Sequence, residues 1–263
     1  MKKHRSSQFL AICTAAVLAL SVPAWASQVS ITPLDTGNTT SSQSQSGASE
    51  PSTAQNTSGQ TVDISSITKP TVASQGAVLL NAADGSVLFS KNGDTTYYPA
   101  SITKLMTALL VAENCNLDDT VTFSATATTN LESGAVSIGM AEGDTMTVRQ
   151  CLYALLLKSA NEVGNALAEH VAGSNAAFAE KMNAKAASLG CTNTHFANPH
   201  GLNDPNHYTT PHDMALIARA AFANDIVKTV ASTRTYTLPA TKNNPSGLTV
   251  TMGHKMLNPN DAR

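Results

Sequence analysis

The sequence predicts an α/β protein of the α+β type, with an antiparallel sheet that draws strands from both ends of the chain and carries helices packed on it. Three observations lead there. Two short apolar runs flank Asp84-Gly85, five stretches of helical periodicity follow, and β-branched runs return after residue 234. The composition suits a globular body: of 263 residues, 42% are hydrophobic and 13% charged, with too few long uncharged runs for a polytopic membrane protein. A formal charge of −2 lacks the basic footprint of nucleic-acid binding, so no nucleic-acid partner is expected. The 11 prolines and 15 glycines show no period, which excludes collagen-like and simple repeat architectures.

The first 26 residues read as an export signal. Lys2, Lys3 and Arg5 open it, Phe9 to Leu20 carries no charge, and Ala24-Trp25-Ala26 offers small residues where a signal peptidase reads. Cys13 does not suggest lipoprotein processing, because Ile12 precedes it and the apolar run continues past it. Cleavage after Ala26 is expected to leave 13 basic against 18 acidic residues and no transmembrane segment. From 27 to 70 the chain is rich in Ser, Thr, Gln, Asn and Gly and has no aromatic residue, so it reads as a disordered linker. A folded domain is expected over 71–263.

Within that domain, Ala77 to Leu80 and Ser86 to Phe89 form a predicted hairpin with Asp84-Gly85 in its turn. Ser101 to Asn114 carries Leu105, Met106, Leu109, Leu110 and Val111, and is apolar around much of its circumference, as a buried helix is. Helices are also predicted over Thr147–Lys158, Glu162–Val171, Asn175–Leu189 and Pro211–Phe222, the last opening on a favoured first-turn proline. Thr235 to Leu238 and Leu248 to Thr251 read as strands. Of the three cysteines beyond the leader, Cys115 and Cys151 sit among apolar neighbours as small core residues. With Cys191 the number is odd, which excludes complete pairing within one chain.

The chemistry rests on two short motifs. Ser101-Ile-Thr-Lys104 places a hydroxyl and an amine on one face at the start of a buried helix. Desolvation would lower the lysine pKa and free the amine as a base, giving an activated serine without histidine. The tetrapeptide recurs at Ser66-Ile-Thr-Lys69, where Pro70 disfavours helix and no apolar run follows, so context favours the second copy. Ser159-Ala-Asn161, at the junction of two helices, can point a hydroxyl and an amide into the same cleft; an ordinary helix cap is the plain alternative for Ser159. Ser90-Lys-Asn92 fits the same pattern but ends a hairpin strand, where solvated turn chemistry is expected.

Together, Tyr98-Pro-Ala-Ser-Ile-Thr-Lys-Leu-Met106, Leu155-Leu-Leu-Lys-Ser-Ala-Asn-Glu162 and the segment from His200-Gly-Leu-Asn203 through His207 to Met214 resemble the D-alanyl-D-alanine carboxypeptidases. These are low-molecular-mass penicillin-binding proteins of the serine β-lactamase and transpeptidase fold. The resemblance runs from about Ala77 to the last residues. It implies a sheet flanked by helices plus a helical subdomain, peptidoglycan stem peptides and β-lactams as ligands, and an extracytoplasmic, cell-envelope location. It also implies that Ser101 is acylated by the penultimate D-Ala carbonyl with Lys104 as base. Ser159 would pass a proton to the leaving amine, and Asn161 would hold the substrate amide and orient Lys104. No cofactor or metal is implied. One departure stands out: the Lys-Thr-Gly motif of such enzymes, which would contribute a second oxyanion N–H, occurs nowhere. It would fall just after Arg263, so the chain is expected to be an incomplete copy lacking the C-terminal strands. Loss of such a donor costs on the order of 10²–10³ in rate.

Rival readings follow from other residues. A β-lactamase would need a deacylating carboxylate, and Glu132 is the one acidic residue between the motifs worth considering. A zinc hydrolase would draw on His195, His200, His207 and His212, but no His-Glu-x-x-His helix is present and Asn, Pro and Gly between them spell loop. A cell-wall-peptide binding protein without full catalysis is the third.

Overall fold

The computed structural model describes residues 53–55, 61–63, 70–129 and 131–253. The export signal over 1–26, most of the 27–70 stretch and the first Ser-Ile-Thr-Lys copy lie outside the described residues. Contacts divide the chain into two units. The smaller holds β1 (Thr53–Gln55) and β2 (Thr61–Asp63), paired antiparallel with Thr53 opposite Asp63. This ladder falls inside the stretch expected to be an unpatterned linker; β-branched Thr53, Thr61 and Val62 suit strand backbone.

In the larger unit, β3 (Ala77–Leu80) and β4 (Val87–Lys91) form the predicted hairpin. Gly85 takes φ 83°, and Asp84 Oδ1 accepts from the Ser86 N–H at 2.8 Å. Arg219 donates from Nε and Nη2 to the carbonyls of Ala82 and Ala83, fastening this turn to α6 (Pro211–Ala223). The predicted helix at Ser101 opens as a 3₁₀ turn, Ala100–Thr103, and continues as α1, Lys104–Asn114. Met106, Ala108, Leu109 and Val111 are buried, confirming that α1 runs through the core.

Between α1 and residue 148, three elements go beyond the sequence reading: β5 (Thr120–Thr122) paired with β6 (Thr145–Thr147), and α2 (Ala125–Thr129) between them. The predicted Thr147–Lys158 helix is α3 (Val148–Tyr153) followed by a π-helical turn, Ala154–Lys158. Thr147 and Gln150 close a capping box at its start. The helices α4 (Asn161–Ala172), α5 (Asn175–Ser188) and α6 match the predicted segments within two residues. A further short helix, α7 (Asp225–Ala231), is capped by Asn224. The predicted C-terminal strands β7 (Thr235–Leu238) and β8 (Leu248–Thr251) pair antiparallel, and Tyr236 stacks on Tyr153 of α3 with ring centroids 3.9 Å apart.

One expectation is corrected. The strands do not join into one sheet: among the described residues they form four separate two-stranded ladders. The ladders also rest on different elements. β3 lies against α6, whereas β8 lies against the π-helical turn, so the two ladders are supported by different helices. The α/β class and the helical core stand.

Candidate active site

Ser101 is solvent-exposed on the 3₁₀ turn, and Lys104 begins α1 one turn later with 2% of its surface exposed. The amine of Lys104 has three partners. It lies 3.2 Å from Ser101 Oγ, 2.8 Å from Asn161 Oδ1 and 2.7 Å from the carbonyl of His200. The amide orientation of Asn161 is set on its other side, where Nδ2 donates to the Val136 carbonyl at 2.9 Å. Two of the three lysine partners are therefore oxygens that only accept. In its neutral form the amine spends both N–H groups on them, and its lone pair is left facing the Ser101 hydroxyl. Burial pushes the Lys104 pKa down to about 8, partly opposed by the negative charge of Glu162. Such a lysine can take a proton from a serine at mildly alkaline pH.

The loop between α5 and α6 forms one side of this arrangement. Pro199 presents its carbonyl to Thr107 Oγ1 at 2.6 Å, beside the His200 carbonyl that holds Lys104. The Nδ1 of His207 accepts the Ala197 N–H, which leaves Nε2–H to donate to Thr103 Oγ1 at 2.8 Å. His200 Nδ1 likewise accepts from the Leu202 N–H. Both imidazoles are held neutral, burial pushing His200 down to about 3 and His207 down to about 4. Gly201, at φ +86°, packs so tightly that an added Cβ would collide with the Ala100 carbonyl.

The other side is the segment from Leu131 to Met140. Its Val136 carbonyl also accepts the backbone N–H of Asn161 at 2.9 Å. Ser159 ends the π-helical turn in the left-handed region, φ 66° and ψ 31°. Its Oγ is buried and has no hydrogen-bond partner, so the plain cap reading does not describe it. The structure thus joins Ser101, Lys104 and Asn161 by hydrogen bonds and leaves Ser159 Oγ unengaged.

The rival residues go elsewhere. Lys91 and Asn92 donate to the Val72 and Gln75 carbonyls, a structural turn. Exposed Glu132 accepts from Asn203 Nδ2 at 3.1 and 3.2 Å. His195 Nδ1 donates to the Asn206 carbonyl at 2.6 Å, so the loop histidines serve different partners. Cys151 is fully buried, Cys115 and Cys191 are half-buried, and all three are free thiols raised by burial, Cys191 to about 12. Three participants escape a sequence reading: the carbonyls of Val136 and His200, which no residue type announces, and Glu162. Only Glu162 carries a signal, as an acidic residue directly after Ser-Ala-Asn.

Comparison with known proteins gives a consistent picture. The model of the D-alanyl-D-alanine carboxypeptidase family matches residues 63–260. A D-alanyl-D-alanine carboxypeptidase of Streptomyces sp. (strain K15) is 39% identical over 183 residues, covering 65% of this chain and 62% of the relative. One from Bacillus subtilis is 38% identical over 150 residues, covering 55% of this chain and 38% of the relative. The chain thus spans less than two thirds of either. Among solved structures, the Streptomyces K15 DD-transpeptidase superposes with a TM-score of 0.67 at 34% identity, covering 73% of this chain and 78% of that one. A D-alanyl-D-alanine carboxypeptidase of Mycobacterium tuberculosis gives a TM-score of 0.67 at 30% identity, covering 74% and 72%.

Proposed function

Because the chain belongs to the D-alanyl-D-alanine carboxypeptidase family, we propose that it is a serine-type peptidase that removes the terminal D-alanine from peptidoglycan stem pentapeptides, and that penicillins acylate the same serine. The observation that carries this reading is the Lys104 amine, buried and tied to two acceptors with its remaining valence directed at Ser101 Oγ.

The chemistry follows from the partners. As Ser101 Oγ attacks the penultimate D-Ala carbonyl, its proton passes to Lys104 Nζ. The tetrahedral centre collapses to an ester on Ser101, and the peptide nitrogen leaves as the amine of D-alanine after receiving a proton through Ser159. That relay suits a hydroxyl which is buried and uncommitted within the protein. Asn161 keeps Lys104 aimed through Oδ1. Water then hydrolyses the ester. The three-part leader pattern over Lys2 to Ala26 supports export to the cell envelope. No helix among the described residues is long and apolar enough to cross a membrane.

The test is covalent labelling by a fluorescent penicillin, paired with D-alanine release from a D-Ala-D-Ala-terminated peptide. Wild type should be labelled in proportion to its concentration and Ser101→Ala should not. Undiminished labelling of Ser101→Ala would place the nucleophile elsewhere.

A further inference from the structure

The helix α4 carries a polar stripe that the proposed chemistry leaves unused. Glu162, Asn165 and Glu169 recur at a spacing of three and four residues and so share one face. Each fastens part of the 124–139 segment. Glu169 accepts from Ser124 Oγ at 2.6 Å and from Thr126 Oγ1 at 2.7 Å. Asn165 Nδ2 donates to the Ala127 carbonyl at 3.2 Å. Glu162 makes the densest contact: its Oε1 accepts from Ser137 Oγ at 2.6 Å, from the Ile138 N–H at 2.7 Å and from the Gly139 N–H at 3.1 Å.

Glu162 is only 1% exposed, and its second oxygen, Oε2, is buried without a partner. A bare buried oxygen carries an unrecovered desolvation cost. Oε1, by contrast, is fully engaged, so the role of the carboxylate is sought in what its three hydrogen bonds position. Val136, the residue before this anchored turn, presents the carbonyl that takes both the backbone N–H and the Nδ2 of Asn161. Asn161 in turn holds the Lys104 amine.

We propose that Glu162 is a positioning residue of the site, acting on Lys104 through the Ser137–Gly139 turn, the Val136 carbonyl and Asn161. This rests on the reading of Ser101 and Lys104 given above. Its action has two separable parts. The three hydrogen bonds to Oε1 fix where the Val136 carbonyl sits. The charge acts on the amine itself, favouring its protonated form and opposing the effect of burial. The other titratable group against that amine is His200 on the loop, with His207 behind it. Both imidazoles stay neutral above about pH 5, so near pH 8 their charge does not change and the substitution at Glu162 is what alters the field at the amine.

Two substitutions separate these parts. Glu162→Gln keeps an acceptor near Oε1 and deletes the charge. Glu162→Asp keeps the charge and withdraws the acceptor from the turn. The readout is the rate of acylation by fluorescent penicillin between pH 5 and 10, resolved into the binding constant and the limiting rate. Glu162→Gln should move the acid limb to lower pH by about half a unit or more. Glu162→Asp should leave the limb in place and lower the limiting rate by about 10-fold, because a small misplacement of a catalytic base is costly. A merely structural role would lower the rate or the melting temperature in both variants with unmoved limbs, and that result overturns the proposal. If wild type is not labelled at all, it is the Ser101 reading that fails. In that case an NMR titration of the Lys104 side chain, assigned with Lys104→Arg, decides alone: a lower midpoint in Glu162→Gln supports the role and an identical one refutes it.

Discussion

The loop from Thr192 to Thr210 and the segment from Leu131 to Met140 converge on the same lysine, one directly and the other through Asn161. The loop touches the amine directly, through the His200 carbonyl, and near that carbonyl it is fastened by neutral groups: the Pro199 carbonyl on Thr107, the His207 imidazole on Thr103, and Gly201 pressed on Ala100. The buried carboxylate of Asp213 holds only its far end, Thr192 to Thr194. The 131–140 segment reaches the amine only through Asn161, and its fastening is a buried carboxylate, Glu162. The difference shows how a lysine can be brought within reach of its neutral form while staying a competent base. Groups in contact with the amine are neutral acceptors, while the negative charge that would stabilise the ammonium stands further away. Burial then wins, and the pKa settles at about 8.

The comparison can be broken outright by removing the partner that both sides share. Lys104→Met should lower penicillin acylation by about 10³-fold or more, the loss expected when a general base is deleted. It also leaves the Asn161 and His200 oxygens without their donor, and a fall in melting temperature should accompany the lost labelling. The two sides are next distinguished by matched glycines. Gly201 and Gly134 have nearly the same backbone, φ +86° and +84°, but a Cβ on Gly201 would strike the Ala100 carbonyl whereas one on Gly134 meets nothing within 4 Å. Gly201→Ala should cost about 3 kcal/mol or more, against about 1 kcal/mol for Gly134→Ala, which bears backbone strain alone. Thermal melts of the two variants measure the gap; equal losses would show that the loop yields without cost.

Acid should weaken the loop side. His200 and His207 have pKa values lowered in the folded chain, so below about pH 6.5 the unfolded chain binds protons that the folded one refuses. Stability therefore falls as pH drops from about 6.5 toward 4. Replacing His207 by Gln should flatten that slope in melting temperatures taken across this range, at some cost in stability at pH 7. The smallest effect belongs to the far end of the α4 stripe. Glu169→Gln keeps an acceptor for Ser124 or Thr126, and should cost about 1 kcal/mol with no change in the pH profile of acylation.

Much of this is legible in the sequence, for physical reasons. The apolar periodicity of residues 105–111 marks a helix that must be buried, and Asp84-Gly85 is turn chemistry that depends on no distant contact. Ser101, Lys104, Ser159 and Asn161 can be named as candidates from residue type, spacing and context, and hydrogen bonds join the first two and Asn161. The three-residue strands β5 and β6 are not, since so short a run has no readable alternation. Which strands pair, and which helix each ladder meets, is tertiary information. Nor can the sequence announce the carbonyls of Val136 and His200, because every residue has one. The left-handed Ser159 is likewise hidden: Lys158 and Ser159 read as an ordinary helix end until the π-helical turn is seen.

A direct titration of the Lys104 side chain tests the central claim, that solvent exclusion keeps this amine available to accept the Ser101 proton. Wild-type protein carrying labelled lysine, assigned by comparison with Lys104→Arg, would be followed by NMR from pH 6 to 11. A midpoint near pH 8 for Lys104 is the predicted result. A midpoint above about 10 would mean that the amine is an ordinary ammonium at working pH, and that the proton of Ser101 goes to some other group.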